Sequence, residues 1–207
     1  MSEDKIDNKV KRYPSRAKYS LQDLIKILNS NFACNVEFTI NQITYIDPMI
    51  YVNENESIFL HCSPESRIFN VLTSGSLITI EVLNIKGIVL HSRISINSLN
   101  YESAIIYGTA QEIKSYEEKM QVFNLLINRI IEGRWNDSEK PTQDELSKVA
   151  VFRINIKEFS VKIREGFGLD KTNNTIWEGI IPVEFKFGKP IPVKDIPLPE
   201  YIKNKLI

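Results

Sequence analysis

The residues best suited to chemistry lie in one short segment, His61 to Arg67. Ser63 followed by Pro64 has the composition of a helix start, with the serine as N-cap and the proline in the first turn. Free backbone N–H groups at such a start bind anions, and Arg67 would add a guanidinium beside them. The segment predicts a phosphate site, although a capped helix with a solvated arginine would have the same sequence.

Other common site chemistries have little support. The chain has two histidines, His61 and His91, and two cysteines, Cys34 and Cys62, without the spacing of a metal site. No nucleophile elbow, phosphate-binding glycine loop or HExxH motif is present. Cys34 falls on the apolar side of an alternating segment, so we expect a buried, inert thiol and no metal centre.

The segments that must position these residues predict a mainly β fold. Isoleucine accounts for 31 of the 207 residues, and β-branched side chains favour strands. Apolar periodicity predicts helices at 21–29, 116–131 and 141–148, and strands at 32–40, 43–52, 57–61, 77–83, 85–95, 103–111 and 152–163. Pro48 marks an edge or a bulge in its strand. Many short antiparallel strands with few helices indicate a β-barrel with peripheral helices.

Length and charge limit the remaining possibilities. We expect one folded domain over 16–184, a flexible N-terminal tail over 1–15 and a Pro-rich C-terminal arm over 185–207 that lies on the surface. Lys+Arg and Asp+Glu both number 26, so no overall field favours nucleic acid, and only a basic cluster near the N-terminus could support DNA binding. Neither a signal peptide nor a membrane-spanning run occurs, so a cytoplasmic protein is expected.

Several short motifs occur together in a recognisable order. They are Arg16 with Tyr19, Asp47-Pro48-Met49, the segment His61–Arg67, Gly87–Ser92, Asn100–Ala104 with Gly108, Gly133-Arg134-Trp135, Lys162–Gly166 and Trp177–Pro182. In this order they resemble the pyridoxamine 5'-phosphate oxidase-related flavoproteins, in the branch that includes the nitroimidazole-resistance proteins. The resemblance covers nearly the whole chain.

The resemblance implies an antiparallel split β-barrel of the FMN-binding type, a homodimer with FMN in two interfacial clefts, and oxidoreductase activity. Residues implied to line the flavin ring, largely through backbone, are Thr44, Ile46, Asp47, Pro48 and Met49. Residues implied to flank or hold the ribityl phosphate are His61, Ser63 and Arg67, with His61 also the candidate catalytic histidine. Residues implied to reach the flavin from the side or from the partner are Asn100, Ser103, Lys162, Arg164 and Trp177.

Two departures from the family pattern narrow the function. Trp177 is followed by Glu178-Gly179 instead of the Arg-x-His element that grips the substrate phosphate in true pyridoxamine-phosphate oxidases, which argues against vitamin B6 oxidation. Glu102 stands where relatives usually carry arginine, and would put a carboxylate near the phosphate. We expect a small electron-poor acceptor such as a nitro compound.

Two further expectations concern partners and an alternative function. Phe123, Leu126 and Ile130 of the long helix offer an apolar stripe for the expected homodimer contact. The alternative function is a non-catalytic flavin- or heme-binding split barrel, in which His61 or His91 would be an axial ligand.

Overall fold

Eight antiparallel strands form the frame of the molecule within residues 6–168 and 175–206, which the computed structural model describes. The strands are β1 (Ala17–Lys18), β2 (Ala33–Ile40), β3 (Ile43–Glu54), β4 (Ser57–Cys62), β5 (Leu77–Leu90), β6 (Ser98–Ile113), β7 (Ala150–Arg164) and β8 (Gly179–Pro182). The helices are α1 (Leu21–Asn29), α2 (Arg67–Thr73), α3 (Tyr116–Ile130), α4 (Gln143–Ser147) and α5 (Glu200–Lys205).

The sheet closes on itself. Its strand order is β1-β7-β4-β3-β2-β5-β6, and β6 also pairs with β7, so the strands from β7 to β6 form a barrel. β8 adds to β5, and β1 adds to β7. The predicted fold, an antiparallel split β-barrel with peripheral helices, is confirmed. None of the described helices has the length and apolar character needed to cross a membrane.

The core of the barrel follows from alternation along its strands. In β2, Cys34, Val36 and Phe38 are buried while the residues between them are exposed, because neighbouring side chains of a strand point to opposite faces. Helix α1 begins at the N-cap Ser20, which accepts a hydrogen bond from Asp23 N, and buries Leu24 against the barrel. Burial raises the pKa of the Cys34 thiol to about 12, so Cys34 is inert as predicted.

The apolar stripe of α3 packs within its own chain. Leu126 is buried in a second cluster with Val52, Phe59 and Val151, and Phe123 packs against the same cluster. Phe123 and Leu126 therefore offer no free face for the expected dimer contact, and the homodimer itself stays a prediction. A periodic apolar pattern shows that a helix has a buried side, and it does not show whether the cover comes from the same chain.

Several predicted boundaries also need correction. The strands expected at 77–83 and 85–95 form the single strand β5, which ends at Leu90 and carries a register shift between Ile85 and Gly87. The strand expected at 103–111 extends to Ser98–Ile113 and continues through Gly108 without a break, where its register with β7 shifts. The C-terminal arm is extended through its prolines but then forms α5, whose Tyr201 packs against Gly133.

The N-terminal tail contacts the barrel where it is described. Residues 1–5 of the predicted tail lie outside the described residues. Asn8 Nδ2 donates to Phe159 O over 3.0 Å, and the hydroxyl of Tyr19 accepts from Val10 N over 2.9 Å.

Gly108 provides a test of the barrel geometry. A Cβ at this position would lie 2.7 Å from Asn155 O and 2.8 Å from Ile154 Cγ2, where β6 shifts register against β7. We expect Gly108→Ala to lower the free energy of unfolding by about 1 to 3 kcal/mol, measured by urea denaturation. Gly188→Ala is the matched control, since nothing lies within 4 Å of its Cβ position. Equal denaturation midpoints for the two variants would contradict the close approach.

Candidate functional site

A cleft opens where β3 and β4 separate. The two strands pair from Glu54 and Ser57 as far as Tyr51 and Leu60, and beyond that point β3 stays paired only with β2. The resulting space has a volume of about 390 Å³. Its lining residues are Asp47, Pro48, Met49, Ile50, His61, Cys62, Ser66 and Ile68. Pro48, which has no N–H to give to a strand ladder, lies on this open edge as predicted.

Four of the predicted site residues meet in this cleft, namely Asp47, Pro48, Met49 and His61. Thr44 and Ile46 belong to the same strand but are exposed outside the cleft lining. Their register partners in β2 are Thr39 and Glu37. The structure therefore divides the predicted ring-lining segment between the cleft and the outer surface of the sheet.

Arg67 lies next to the cleft and is held there by an aromatic ring. Its guanidinium carbon is 4.5 Å from the centre of the Tyr45 ring, and Tyr45 stacks on Phe38 with ring centres 5.6 Å apart. Arg67 is exposed, and none of the ion pairs within the described residues includes it. A cation without a counterion is thus positioned beside the cleft.

Ser63 does not cap the helix, contrary to the prediction. Helix α2 begins at Arg67 with Ser66 as N-cap, and a turn precedes it in which Ser66 N donates to Ser63 O over 3.0 Å. The Ser63 hydroxyl accepts instead from Glu65 N over 3.2 Å. Proline is as favourable at the second position of such a turn as in the first turn of a helix, so the dipeptide Ser63-Pro64 suited both structures.

His61 places an uncharged imidazole at the cleft. Its ring packs against Phe123 with centres 5.5 Å apart, and Nδ1 is buried without a hydrogen-bond partner. Burial lowers the pKa of His61 below its ordinary value, since an imidazolium there would lose hydration. Adjacent residues of β4 point to opposite faces as predicted. Cys62 packs against the barrel core, and it also lines the cleft.

The lowered pKa of His61 makes stability depend on pH. Above about pH 6.5 the histidine is neutral in both states, whereas below it the unfolded chain takes up a proton that the folded chain resists. Stability should therefore fall as the pH drops from about 6.5 towards the folded-state pKa, by at most about 1.4 kcal/mol per pH unit. His61→Phe should reduce this slope in urea denaturation between pH 7.5 and 5. Parallel curves for variant and wild type would refute it.

The other predicted site residues form separate groups outside the cleft. Ser103 and Lys162 are register partners on β6 and β7, and both are partly exposed. Asn100 and Arg164 are buried and paired, with Arg164 Nη1 donating to Asn100 Oδ1 over 2.6 Å and to Leu99 O over 3.1 Å. Burial lowers the pKa of the Arg164 guanidinium. The structure shows a mutual partner for Asn100 and Arg164, and their cofactor role stays a prediction.

Trp177 and the two remaining candidate positions also lie away from the cleft. The Trp177 side chain is 66% exposed and packs over Gly179. His91 is buried, with its ring 4.0 Å from that of Phe167 and its Nε2 3.2 Å from Phe167 O. Glu102 is buried with its carboxylate 3.8 Å from Lys26 Nζ and 3.6 Å from Lys86 Nζ. Glu102 is thus paired with two lysines and lines no part of the cleft, and its effect on a phosphate site stays a prediction.

Sequence reasoning missed five residues of this region. Ile50, Cys62, Ser66 and Ile68 line the cleft, and Tyr45 holds Arg67. Tyr45 could have been found from its position, since it alternates with Asp47 and Met49 along β3. Ile68 reaches the edge of β3 because of the way α2 packs, and no local sequence pattern shows this packing.

The sequence profile of the pyridoxamine 5'-phosphate oxidase family matches residues 20–163, which include the cleft, Arg67 and most of β7. The chain belongs to the pyridoxamine 5'-phosphate oxidase family. The resemblance noted in the sequence is thereby confirmed. Among curated proteins, no sequence matches the chain significantly.

Several solved structures share the fold over most of the chain. The flavocytochrome Anf3 from Azotobacter vinelandii is 25% identical, with a TM-score of 0.86 over 97% of each chain. The FAD and heme binding protein from Mycobacterium smegmatis is 22% identical, with a TM-score of 0.84 over 92% of this chain and 97% of that one. A candidate 5-nitroimidazole antibiotic resistance protein from Bacteroides thetaiotaomicron is 21% identical, with a TM-score of 0.61 over 71% and 86% of the two chains.

Proposed function

We propose that this protein binds FMN in the cleft between β3 and β4 and acts as an oxidoreductase on a small electron-poor acceptor such as a nitro compound. The observation that carries the proposal is an apolar-walled cleft with an unpaired guanidinium, Arg67, held beside it on Tyr45. Arginine beside such a cleft is suited to a ligand with an aromatic body and a phosphate.

The cleft fits a flavin ring in size and chemistry. Its 390 Å³ is in the range of small-ligand pockets, about 300 to 1,000 Å³. Pro48, Met49, Ile50 and Ile68 provide apolar walls. The edge of β3, which lacks a β4 partner here, leaves backbone polar groups to bond a heterocycle. Arg67 would hold the phosphate, and the Ser63 hydroxyl keeps its proton for a further hydrogen bond, whereas the Ser66 hydroxyl already donates to Ser63 O.

Bound flavin supplies hydride or electron transfer, and the chain supplies placement and surroundings. The apolar walls would exclude water from one side of the ring. His61, neutral at pH 7 and packed on Phe123, would face the acceptor and hydrogen-bond to it. The protein from A. vinelandii, which is 25% identical over nearly the whole chain, is named a flavocytochrome, and this likeness supports flavin binding.

Vitamin B6 oxidation is not proposed, although the family is named after it. Glu178 follows Trp177 where the substrate-gripping arginine element is expected, and its Oε1 accepts from Ser92 N over 2.7 Å. This carboxylate fixes the loop after β5 and would repel a substrate phosphate.

The visible spectrum of the purified protein tests the proposal. We expect a flavin spectrum, FMN released on denaturation and identified by mass, and reoxidation of the reduced protein by a nitroaromatic compound under anaerobic conditions. Failure to take up any flavin on reconstitution would overturn the binding proposal. A bound flavin that nitroaromatics do not reoxidise would overturn the proposed acceptor.

Heme binding is the second candidate function, and one observation favours it. The buried, unpartnered Nδ1 of His61 belongs to a neutral imidazole at a cleft, the form that binds iron. His91 is a poorer ligand because its ring is covered by Phe167. A Soret band after heme titration that is lost in His61→Ala would establish this function.

Exposed apolar side chains on the outer surface of the sheet and on the arm support a homodimer. Strands β3 and β5 lie on either side of β2. Their side chains Ile46, Ile50 and Leu83 are 61%, 37% and 44% exposed. Ile191 and Val193 of the arm are 92% and 98% exposed. Apolar surface of this extent suits a second copy of the chain. Ser103, Lys162 and Trp177, which do not reach the cleft of their own chain, would then approach the partner's cleft.

Ile46→Asp should weaken this dimer about tenfold. Burying the isoleucine at a subunit contact is worth about 1.5 kcal/mol, and the aspartate would lose hydration there. Sedimentation across a concentration series measures the shift in the monomer–dimer equilibrium. Ile43→Asp, at the tip of the same hairpin and 57% exposed, is the control for added charge and should leave the dimer intact. A wild-type protein that is monomeric yet holds FMN tightly would contradict the proposal.

A further inference from the structure

A second and larger space, which we call the arm groove, lies beside the C-terminal arm. Its volume is about 880 Å³. Its walls are the segments 29–32, 83–86 and 183–187, and Arg129, Ile130 and Lys205 also line it. No residue of the cleft between β3 and β4 lines it.

One wall of the arm groove is aromatic. The rings of Phe32 and Phe185 are 6.1 Å apart at 70°, and those of Phe185 and Phe187 are 5.4 Å apart at 84°. Phe185 is nevertheless 76% exposed. An open ring supported edge-on by two others is a stacking surface for a flat aromatic ligand.

The groove also contains an ordered set of side-chain amides. Asn31 Nδ2 donates to Asn84 Oδ1 over 3.0 Å, and Asn84 Nδ2 donates to Ser30 Oγ over 2.7 Å. Asn84 keeps one further donor and one further acceptor site, whereas Asn31 keeps only a donor, because its Oδ1 already accepts from Phe32 N and Ala33 N. Asparagine amides match the adjacent donor and acceptor on the edge of an adenine ring.

The charges around the arm groove favour an anion. Four cations, Lys86, Arg129, Lys186 and Lys205, line it together with one carboxylate, Glu184. Lys186 pairs with Glu184 at 2.8 Å, and Arg129 is used in hydrogen bonds to backbone and amide oxygens. Lys205 has no ion pair within the described residues and lies 6.0 Å from the Phe187 ring centre. It is the cation most available to a phosphate.

The arm groove adjoins the cleft along the start of β2. Phe32 O accepts from Tyr51 N over 3.0 Å, and Ala33 is the register partner of Ile50, which lines the cleft. The neighbour of β2 on its other side is β5, whose Leu83 lines the groove. The two spaces are thus about two strand spacings apart, on the order of 10 Å.

We infer that the arm groove binds a purine nucleotide. The base would stack on Phe185, its edge would meet the amides of Asn31 and Asn84, and its phosphates would meet Lys205. Two sources share this chemistry: a free nucleotide, and the nucleotide half of a flavin dinucleotide whose ring occupies the cleft. Only the second source rests on the proposed function, through the flavin ring in the cleft, and it would make FAD the cofactor in place of FMN.

Calorimetric titration of the flavin-free protein with ADP, FMN and FAD tests the inference. ADP should bind, and Phe185→Ala and Lys205→Ala should each weaken it about tenfold. Lys203→Ala is the matched control on the same helix, because Lys203 pairs with Glu200 and does not line the groove. Unchanged melting temperatures will show that the exposed substitutions leave the fold intact. Absence of ADP binding together with equal FAD and FMN affinities, or ADP binding unaffected by both variants, would overturn the inference.

The same titrations separate the sources. If FAD binds more tightly than FMN and Phe185→Ala removes only that difference, the groove holds the nucleotide half of the dinucleotide. If ADP binds to FMN-loaded protein and FAD has no advantage over FMN, the groove holds a free nucleotide. ADP binding without any flavin binding would support the groove and refute the proposed function, so the two failures are distinguishable.

Discussion

Arg67→Ala should weaken FMN binding about tenfold to a hundredfold. A charge-assisted hydrogen bond from a guanidinium to a phosphate is worth about 1.5 to 3 kcal/mol, which corresponds to that range of affinity. The side chain is exposed and rests on Tyr45, so its removal should change the stability of the fold little. Fluorescence titration of flavin-free protein measures the affinity.

Riboflavin provides the control for this variant, since it has the same ring without the phosphate. Its affinity should be nearly equal in wild type and Arg67→Ala. Arg67→Lys should recover part of the FMN affinity, because an ammonium keeps the charge but loses the two-pronged geometry and the stacking on Tyr45. An equal loss of FMN and riboflavin affinity would mean that Arg67 shapes the cleft without holding the phosphate.

The elements of the barrel were predictable where one face of a strand is buried. In β2 the alternation from Cys34 to Phe38 predicts which side chains enter the core, and the structure shows the same alternation of buried and exposed residues. The start of α2 was misplaced because Ser63-Pro64 satisfies a turn as well as a helix cap. The stripe of α3 was misassigned because its cover, Val52 and Val151, comes from strands distant in sequence.

The candidate site was predictable to a smaller extent. The resemblance identified Asp47, Pro48, Met49 and His61, and these line one cleft. It could not show that β4 ends early enough to leave β3 with a free edge, or that Tyr45 would hold Arg67. The arm groove was invisible in the sequence, because Phe32 and Phe185 meet only after the chain has turned back along β5.

Side-chain direction decides how the residues around β6 divide between folding and binding. Asn100 and Glu102 are buried, whereas Ser103 on the opposite face is partly exposed. Glu102 interacts with Lys26 and Lys86, so its departure from the family pattern has a structural explanation. For Asn100 and Arg164, the question is whether they bind the cofactor or stabilise the fold. The resemblance implies cofactor contacts, whereas the structure shows the two side chains hydrogen-bonded to each other.

Arg164→Met should settle that question through stability. The variant loses a charge-assisted hydrogen bond and leaves Asn100 Oδ1 buried without its partner, so the free energy of unfolding should fall by about 2 to 3 kcal/mol. Urea denaturation measures the change. Lys162→Met is the matched control two residues earlier on β7, where the side chain is partly exposed, and should shift stability by at most about 0.5 kcal/mol. If Arg164→Met keeps wild-type stability and loses FMN affinity, the guanidinium binds the anion, and the pair with Asn100 serves only to orient it.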